Sequence, residues 1–530
     1  MKTLKKLTAV LLAVVMTLAM ASVSFAVAAE SDIPTLIIYG RKNQPFYKAD
    51  GTPVADTATP CGMSREEYIK KWIKPVLKEL AVGVATDNYD KYVDTLIECA
   101  RPIYEEEVLP ASGEADNGTH IKWDYQKNMS TAVHGGKRCY VFYYDWRLSP
   151  VDIADQLDVY IERILAANGA DKINITARCL ASNMAMAYVA KSHEGAYGHP
   201  FRVANLAFDT PALAGYITVG ALMSGSIHFD ADVIDRFVTS YLNNNDLFED
   251  ESMELLASTL VTFINHAKVL GLTAGMVNKI YKKVSDKLIS GIALVSYGRY
   301  PSYWSMISDE YYDKAVAQIF NTPELAEEYA GLIAKANEYH ELLSDTNEET
   351  GRPKYADLLL ELKEEGVNTA VFGKYGVATV PMFDGCEITG DTRGTVTETT
   401  LGATATTVYK KFSSAYMTKA EANGTIQYIA ADRTVDTSTC LFPDSTWVMK
   451  NVAHDVFLDS TYALINDFFA SDGSLTVEES SRARFTDYNN GDLKPVETAD
   501  NGTWTKNPLV LLLKLLTALF KVFVNMLNKQ

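Results

Sequence analysis

Cys179 is the residue whose surroundings in the sequence most directly suggest chemistry. Residues 172–176 (KINIT) predict a buried strand, and residues 180–190 predict a helix that begins almost at once. A nucleophile on such a sharp strand-to-helix turn needs small flanking residues, here Ala177 and Ala181, because the turn presses their backbone against neighbouring elements. The dipole and the free N–H groups at the start of the helix favour the thiolate, which is the nucleophilic form of cysteine.

Two backbone N–H groups are expected beside this turn, where they would face a developing oxyanion. The N–H of Leu180 follows the thiol directly, and the N–H of Arg41 follows Gly40, which ends the first predicted strand at residues 33–39. Donors of this kind stabilise the tetrahedral intermediate of acyl transfer. The alternative is that Cys179 is a buried structural cysteine in a domain without activity, since free cysteine is among the most buried residue types.

The elements around this turn predict an α/β fold with a mostly parallel sheet. Strand and helix patterns alternate in the first part of the chain, and such βαβ units place helices on both faces of a sheet. Residues 109–137 predict a loop, and residues 211–365 are helical without convincing strand alternation. A closing helix is predicted at residues 459–469. The predicted strands are residues 33–39, 139–144, 172–176, 202–208, 369–372 and 446–450.

Several short motifs resemble the lecithin–cholesterol acyltransferase-like branch of the α/β-hydrolase superfamily. The run YDWR at residues 144–147, followed by a helix and a strand that enters the cysteine turn, is similar to the family's pattern before its nucleophile. RYPS at residues 299–302 resembles a motif of the family's cap, and GTV at residues 394–396 resembles the end of its D-G-T-V run, which carries the catalytic acid. His454 resembles the family's catalytic histidine. The match spans roughly residues 33–470 in the order nucleophile, acid, histidine.

The resemblance implies that the cysteine of the turn is the nucleophile and His454 its base, but it leaves the acid open. Arg178 replaces the histidine that precedes the family's nucleophile, and Arg393 occupies the position of the family's acid. Asp391 is the first candidate acid, and Asp209, after the fourth predicted strand, is another. A Cys–His pair also works with little help from an acid, because a thiol ionises more easily than a hydroxyl. Polyhydroxyalkanoate synthases and dienelactone hydrolases of this superfamily likewise carry a cysteine at the turn.

Both ends of the chain have the character of targeting segments. Residues 1–29 combine a lysine-rich start, an apolar stretch and small residues, which is the layout of a secretory signal peptide. Residues 507–530 are mostly apolar, and their narrow polar stripe includes Lys514 and Lys521, which argues against a spanning helix. The stripe predicts an amphipathic helix on a membrane surface; the alternative is a tail packed on its own domain. We therefore expect a secreted, extracytoplasmic protein that is peripheral to a membrane.

Composition narrows the classes of partner. The 530 residues carry a formal net charge of −18, which argues against binding to nucleic acid. The six cysteines are widely and irregularly spaced without a metal-binding signature, although Cys386 and Cys440 are near enough in sequence to pair. We predict neither a cofactor nor a metal.

These inferences divide the chain into six segments and imply one function. The predicted segments are a signal peptide (1–29), an α/β-hydrolase core in two parts (30–210 and 366–470), a helical cap insertion (211–365), a linker or extension (471–506) and an amphipathic helix (507–530). The resemblance implies an esterase, lipase or acyltransferase that acts on an acyl ester of a lipid-like substrate. The alternative is a catalytically degenerate relative that binds a lipid or protein partner at the cell surface.

Overall fold

The central feature of the fold is one large sheet. The computed structural model describes residues 33–40, 45–54, 63–115, 118–227, 274–378, 388–407, 410–489 and 492–497. The strands among these residues, numbered along the chain, are β1 (Thr35–Ile38), β2 (Phe46–Lys48), β3 (Thr119–Ile121), β4 (Ser130–His134), β5 (Lys137–Phe142), β6 (Ile173–Arg178), β7 (Val203–Asp209), β8 (Asn368–Tyr375), β9 (Val377–Ala378), β10 (Thr389–Gly390), β11 (Thr404–Ala405), β12 (Val435–Asp436), β13 (Thr446–Lys450), β14 (Phe485–Asn489) and β15 (Asp492–Pro495).

Nine of these strands form the large sheet in the order β15-β14-β13-β8-β7-β6-β1-β5-β4. The seven inner strands pair in parallel, and β4 and β15 pair antiparallel at the two edges. Three smaller antiparallel pairs join β2 to β3, β9 to β10 and β11 to β12. The prediction of an α/β fold with a mostly parallel sheet is therefore confirmed.

Burial on both faces explains the apolar character of the inner strands. Every residue of β6 and β7 is buried, and these strands read INITAR and VANLAFD. A parallel strand covered by helices on both sides exposes no face to water, so apolar residues do not alternate with polar ones. The charged side chains of these two strands, Arg178 and Asp209, stand at the carboxyl ends, which is the usual place for a ligand site in this architecture.

Helices fill the connections between the strands. The α-helices of the described residues are α1 (Arg65–Thr86), α2 (Asp90–Tyr104), α3 (Pro150–Asn168), α4 (Ala181–His193), α5 (Ile217–Met223), α6 (Ala274–Leu294), α7 (Pro301–Trp304), α8 (Asp309–Ile319), α9 (Pro323–Glu328), α10 (Ala330–Tyr339), α11 (Lys354–Glu364), α12 (Val396–Thr399), α13 (Ser414–Ala422) and α14 (Asp459–Ala470). Each element described between β7 and β8 is helical, as the pattern of residues 211–365 predicts.

Helix α3 begins and packs largely as its sequence indicates. Pro150 is its first residue, and the Ser149 side chain accepts a hydrogen bond from the N–H of Val151. The sequence predicts a capping box between Ser149 and Asp152, which would use the N–H of Asp152, so this prediction is wrong. The sequence also predicts one apolar face that includes Ile153, Leu157 and Ile161, and these residues are buried against the main core.

Two segments without a predicted strand contain strands in the structure. Residues 109–137 include β3, which pairs with β2, and β4 of the large sheet, and residues 471–506 include β14 and β15 of the large sheet. Strand β4 reads STAVH and is only partly buried, because it pairs with one neighbour at an edge. Edge strands keep polar residues on their exposed side, so they lack the apolar run by which inner strands are recognised. The prediction of a loop was therefore wrong for β4, whereas residues 471–506, predicted as a linker or extension, add β14 and β15 to the sheet.

Neither predicted membrane or export segment falls within the described residues. Residues 1–29 and 507–530 both lie outside them. Among the helices that the structure does describe, none combines the length and the apolar character needed to cross a membrane.

Candidate active site

Cys179 lies on the sharp turn between β6 and α4. Its backbone has a φ of 53°, which residues other than glycine seldom adopt, so the turn is held in a strained conformation. The N–H of Cys179 donates to the carbonyl of Asp209 at 3.1 Å, and its carbonyl accepts from the Ser182 N–H (3.0 Å) and Oγ (2.7 Å). These bonds fix the turn while the thiol stays free and only half-buried.

His454 and Asp391 form a buried hydrogen-bonded pair. The imidazole Nδ1 of His454 lies 2.7 Å from Oδ2 of Asp391, and the His454 N–H donates to the Asp391 carbonyl, also at 2.7 Å. The other carboxylate oxygen accepts from the N–H groups of Arg393 (3.0 Å) and Gly394 (2.9 Å). This arrangement orients the imidazole so that Nδ1 carries its proton toward Asp391 and Nε2 remains for chemistry.

The electrostatics couple His454 to Cys179. Burial lowers the pKa of His454, but the charges of Asp391 and Cys179 outweigh it and raise that pKa to about 9. Burial raises the pKa of Cys179, but the neighbouring His454 outweighs it and brings the thiol pKa below its usual value. Besides the charge interaction, a side-chain hydrogen-bond contribution between the imidazole and the thiol acts on both pKa values in the same directions. The two shifts favour a thiolate–imidazolium pair.

The geometry distinguishes between the two candidates for the acid. Asp391 contacts the imidazole directly, whereas Asp209 forms an ion pair with Arg178, with 3.1 Å between Oδ2 and Nε. The guanidinium of Arg393 pairs with Asp455, with 3.1 Å between Nη2 and Oδ2. Burial raises the pKa of Asp391, but His454 outweighs it and leaves that pKa below its usual value, so the carboxylate stays ionised.

The expected oxyanion donors lie partly within the described residues. Leu180 is buried and directly precedes α4, where backbone N–H groups lack helical acceptors. A Cβ at Gly40 would lie 3.2 Å from both the Arg178 carbonyl and the Cys179 Cβ, so the first strand passes close to the cysteine turn. Arg41 falls outside the described residues. The described geometry therefore places Leu180 and Gly40 beside the thiol, as the sequence predicts.

Tyr216 is a site residue that the sequence did not indicate. Its ring meets the His454 imidazole edge-on at 5.6 Å, and its hydroxyl donates to the Thr210 carbonyl at 2.7 Å. Burial and then the neighbouring Cys179 raise the pKa of Tyr216 well above its usual value. Tyr216 precedes the short helix α5, where no sequence motif distinguishes one tyrosine from the other 29 in the chain.

Lys374 is a second residue that sequence reasoning missed. Its ammonium is buried in β8 and donates to the carbonyls of residues 453, 454 and 456 at 3.4, 3.0 and 3.0 Å. Burial lowers the pKa of Lys374 to about 8. The available signal was a lysine inside the otherwise uncharged strand NTAVFGKY, because a buried charge needs partners.

The YDWR run has a structural role in this fold. Arg147 is fully buried and makes a bidentate contact with Asp145, with Nε–Oδ1 at 2.9 Å and Nη2–Oδ2 at 2.6 Å. Trp146 meets Tyr300 of the RYPS run edge-on at 5.1 Å, and the Ser302 N–H donates to the Arg147 carbonyl at 3.4 Å. Both motifs therefore join the helical segment to the sheet.

One group of side chains in the described residues has the composition of a metal site. The ligand atoms of His193, Glu361 and Glu365 lie within 4.8 Å of one another at the carboxyl-terminal end of α4. Cys179 adjoins the opposite end of this helix. Both glutamates are exposed, and His193 already contacts Glu365 at 3.1 Å. This group is separate from the cysteine site.

Comparisons with known proteins do not assign the chain to a family. No family model and no curated protein matches it. A chain of the Tle4–Tli4 complex aligns at 13% identity with a TM-score of 0.18, covering 36% of this chain and 48% of that one. The prohormone-processing carboxypeptidase Kex1(Δ)p from Saccharomyces cerevisiae aligns at 11% identity with a TM-score of 0.19, covering 65% of each chain. The chain spans less than two thirds of either protein, and likeness at this level carries no argument about function.

Proposed function

We propose that this protein is an α/β-hydrolase-type esterase, lipase or acyltransferase with a cysteine nucleophile. The observation that carries the proposal is the placement of three residues at one edge of the sheet. Cys179 lies on a strained strand-to-helix turn, His454 is coupled to it electrostatically, and Asp391 orients His454 through a 2.7 Å hydrogen bond. Nucleophile, base and orienting acid are the three groups that nucleophilic acyl transfer requires.

The chemistry proceeds in two balanced steps. The Cys179 thiolate attacks the ester carbonyl, and the oxyanion faces the Leu180 N–H at the start of α4. The C–O bond then breaks, and the His454 imidazolium gives its Nε2 proton to the leaving alkoxide, which leaves an acyl thioester on Cys179. In the second step His454 takes a proton from water or from an acceptor alcohol, whose oxygen attacks the thioester; the C–S bond then breaks and regenerates the Cys179 thiolate beside the His454 imidazolium. Water yields the free acid, and an alcohol yields a new ester.

The substrate class and location are part of the same proposal. The helices between β7 and β8 would act as a cap over the cysteine site, in keeping with the family resemblance. The amphipathic residues 507–530 would hold the exported protein at a membrane surface, next to lipid-like acyl esters. Removal of residues 1–29 as a signal peptide would place this chemistry outside the cytoplasm.

The test is acyl-ester turnover by the full chain and its matched cysteine variants. We expect turnover of p-nitrophenyl esters in a series from acetate to palmitate. Cys179→Ala should abolish it, and His454→Ala should reduce it by about 10²- to 10⁴-fold, the usual contribution of general acid–base catalysis. Cys440→Ala is the matched control, since Cys440 is a buried free thiol whose pKa burial raises to about 12.

The alternative is a non-catalytic protein that binds lipid or a protein partner. It predicts no turnover by the wild-type chain with any ester in the series, or turnover that Cys179→Ala leaves unchanged. Circular dichroism and thermal unfolding must show that the variants are folded, so that loss of turnover reflects chemistry. Trapping of an acyl group on Cys179, detected as a mass increase, would separate the two functions directly.

A further inference from the structure

Arg178 contacts the loop that carries His454. Its Nη2 donates to the backbone carbonyl of His454, and its guanidinium lies over the ring of Phe457, 3.8 Å from the centroid. Its Nε faces Asp209 at 3.1 Å. Arg178 directly precedes the nucleophile, so one residue links the cysteine turn to the histidine loop, which we define as residues 453–457.

Lys374 also contacts the histidine loop. Its ammonium donates to three carbonyls within the histidine loop, and the His454 carbonyl is among them at 3.0 Å. The His454 carbonyl therefore accepts from two buried cations at once. A carbonyl has two lone pairs, and bonds from charged donors are stronger than neutral ones.

Asp209 completes this arrangement. Arg178 ends β6 and Asp209 ends β7, and the two residues are register partners. Asp209 also pairs in register with Phe372 of β8, which places Lys374 two residues further along the neighbouring strand. The three ionised side chains thus form a row across three adjacent strands, with the carboxylate between two cations. Burial of a cation without such a partner would be costly.

We propose that Arg178 and Lys374 are positioning residues that hold the catalytic imidazole in place through the backbone carbonyl of His454. Asp391 fixes the imidazole ring from its side chain, and the two cations fix the backbone that carries the ring. A shift of the histidine loop would move Nε2 away from the thiol without changing any triad residue. This inference rests on the proposed function, because it assigns these residues a role in the Cys179–His454 pair.

The first test follows alkylation of Cys179 by iodoacetamide as a function of pH, read by mass spectrometry. This readout needs no substrate, so it can fail or succeed independently of ester turnover. Arg178→Met and Lys374→Met should each raise the midpoint of alkylation by about one pH unit, because the imidazolium no longer faces the thiolate. In turnover assays both variants should lower kcat and leave KM nearly unchanged.

A double-mutant cycle separates positioning from a direct effect of charge. Arg178→Met removes a positive charge near Cys179 as well as the bond to the loop. In a His454→Ala background, we expect Arg178→Met to shift the alkylation midpoint much less than in the wild-type background, because only the direct effect of its charge on Cys179 remains. An equal shift in both backgrounds would overturn the proposal for Arg178. A wild-type alkylation profile in Lys374→Met would overturn it for Lys374.

Two further variants guard against misfolding. The pair Arg178→Met with Asp209→Asn leaves no uncompensated buried carboxylate, and we expect it to show the same raised midpoint as Arg178→Met. Arg484→Met is the matched control, because Arg484 is also a buried arginine and donates to the Pro443 carbonyl, away from Cys179. Its alkylation profile should equal that of the wild type. A raised midpoint in this control would show that the readout reports general loosening and would contradict the positioning role.

Discussion

Asp391 and Arg393 lie two positions apart and have different roles at the candidate site. The Asp391 carboxylate bonds the His454 imidazole, while the Arg393 guanidinium turns away to pair with Asp455. The backbone N–H of Arg393 still donates to Asp391 at 3.0 Å, so this residue supports the acid without supplying it. Its positive charge also contributes to lowering the pKa of Cys179, after the larger effects of burial and His454.

Arg393→Asp, which would restore the carboxylate of the related motif, should therefore lower activity. The change removes a positive charge near the thiolate, breaks the contact with Asp455 and places a second carboxylate beside Asp391. We expect kcat/KM for a p-nitrophenyl ester to fall by roughly tenfold, which corresponds to one pH unit in the thiol pKa. Arg393→Gln is the control, because it removes the charge and adds no carboxylate, and its loss should be smaller. A gain in activity for Arg393→Asp would show that Asp391 is not the working acid.

At the scale of elements, Glu398 joins the helical segment after β7 to the turn that carries the candidate acid (residues 391–395), which we call the acid turn. One carboxylate oxygen accepts from the N–H of Ile217 at 2.8 Å, at the start of α5, and the other accepts from the N–H of Thr395 at 2.7 Å, at the start of α12. The Thr395 side chain accepts a hydrogen bond from the N–H of Glu398, which completes a capping box. The Thr218 hydroxyl also donates to the Arg393 carbonyl at 2.6 Å. Helix α5 and the acid turn should therefore move together.

The titration of Glu398 should make stability depend on pH. Burial raises the pKa of Glu398 to about 8, well above its usual value. Between the two values the native state binds more protons than the unfolded state, so its contribution to stability is full at low pH and is lost as pH rises through about 8. We therefore expect the unfolding free energy of the wild type to fall steadily relative to that of Glu398→Gln from about pH 5 to pH 8.5.

Urea unfolding at a series of pH values measures this difference. Glu421→Gln changes an exposed glutamate of α13 and should give a difference that does not vary with pH. A constant difference for Glu398→Gln across the same range would mean that Glu398 does not titrate in the native state.

At the scale of the whole molecule, one continuous sheet carries the site from both halves of the chain. Cys179 follows β6, whereas Asp391 and His454 follow β10 and β13, which come after the long helical segment in sequence. Strand β8 pairs with β7 across that segment, so the sheet brings the two halves together. The site therefore forms only when the strands on both sides of the helical segment have paired.

We predict that the location of the protein depends on residues 507–530, the predicted amphipathic tail. Deletion of residues 507–530 should move the exported protein from the membrane fraction to the soluble fraction, because it removes the apolar face that would lie in the bilayer surface. Ultracentrifugation of the two forms measures the change. The substitutions Lys514→Glu and Lys521→Glu test the contribution of anionic lipids in the full-length chain. A full-length exported protein that is already in the soluble fraction would exclude the tail as an anchor.

Local pattern in the sequence was sufficient for six of the seven strands that pair in parallel and for the turn at Cys179. Inner strands leave a continuous apolar run, and a sharp strand-to-helix turn requires small residues at fixed offsets, so both signals lie within a few positions. The edge strands β4 and β15 left no such signal, because one neighbour and partial exposure permit polar residues, and β14, which reads FTDYN between β13 and β15, also lacks an apolar run. Their assignment depended on pairing with distant strands.

The choice of acid and the support of the histidine were decided only by the tertiary structure. Sequence order leaves both Asp391 and Asp209 open as the acid, because the chain between them does not fix where each side chain lies. The sheet sets Asp209 against Arg178 by register and leaves Asp391 to bond the imidazole. Lys374 and Arg178 meet the His454 carbonyl across separations of 80 and 276 residues. Contacts between residues so far apart in sequence depend on the pairing of whole strands, so they cannot be predicted from local sequence periodicity.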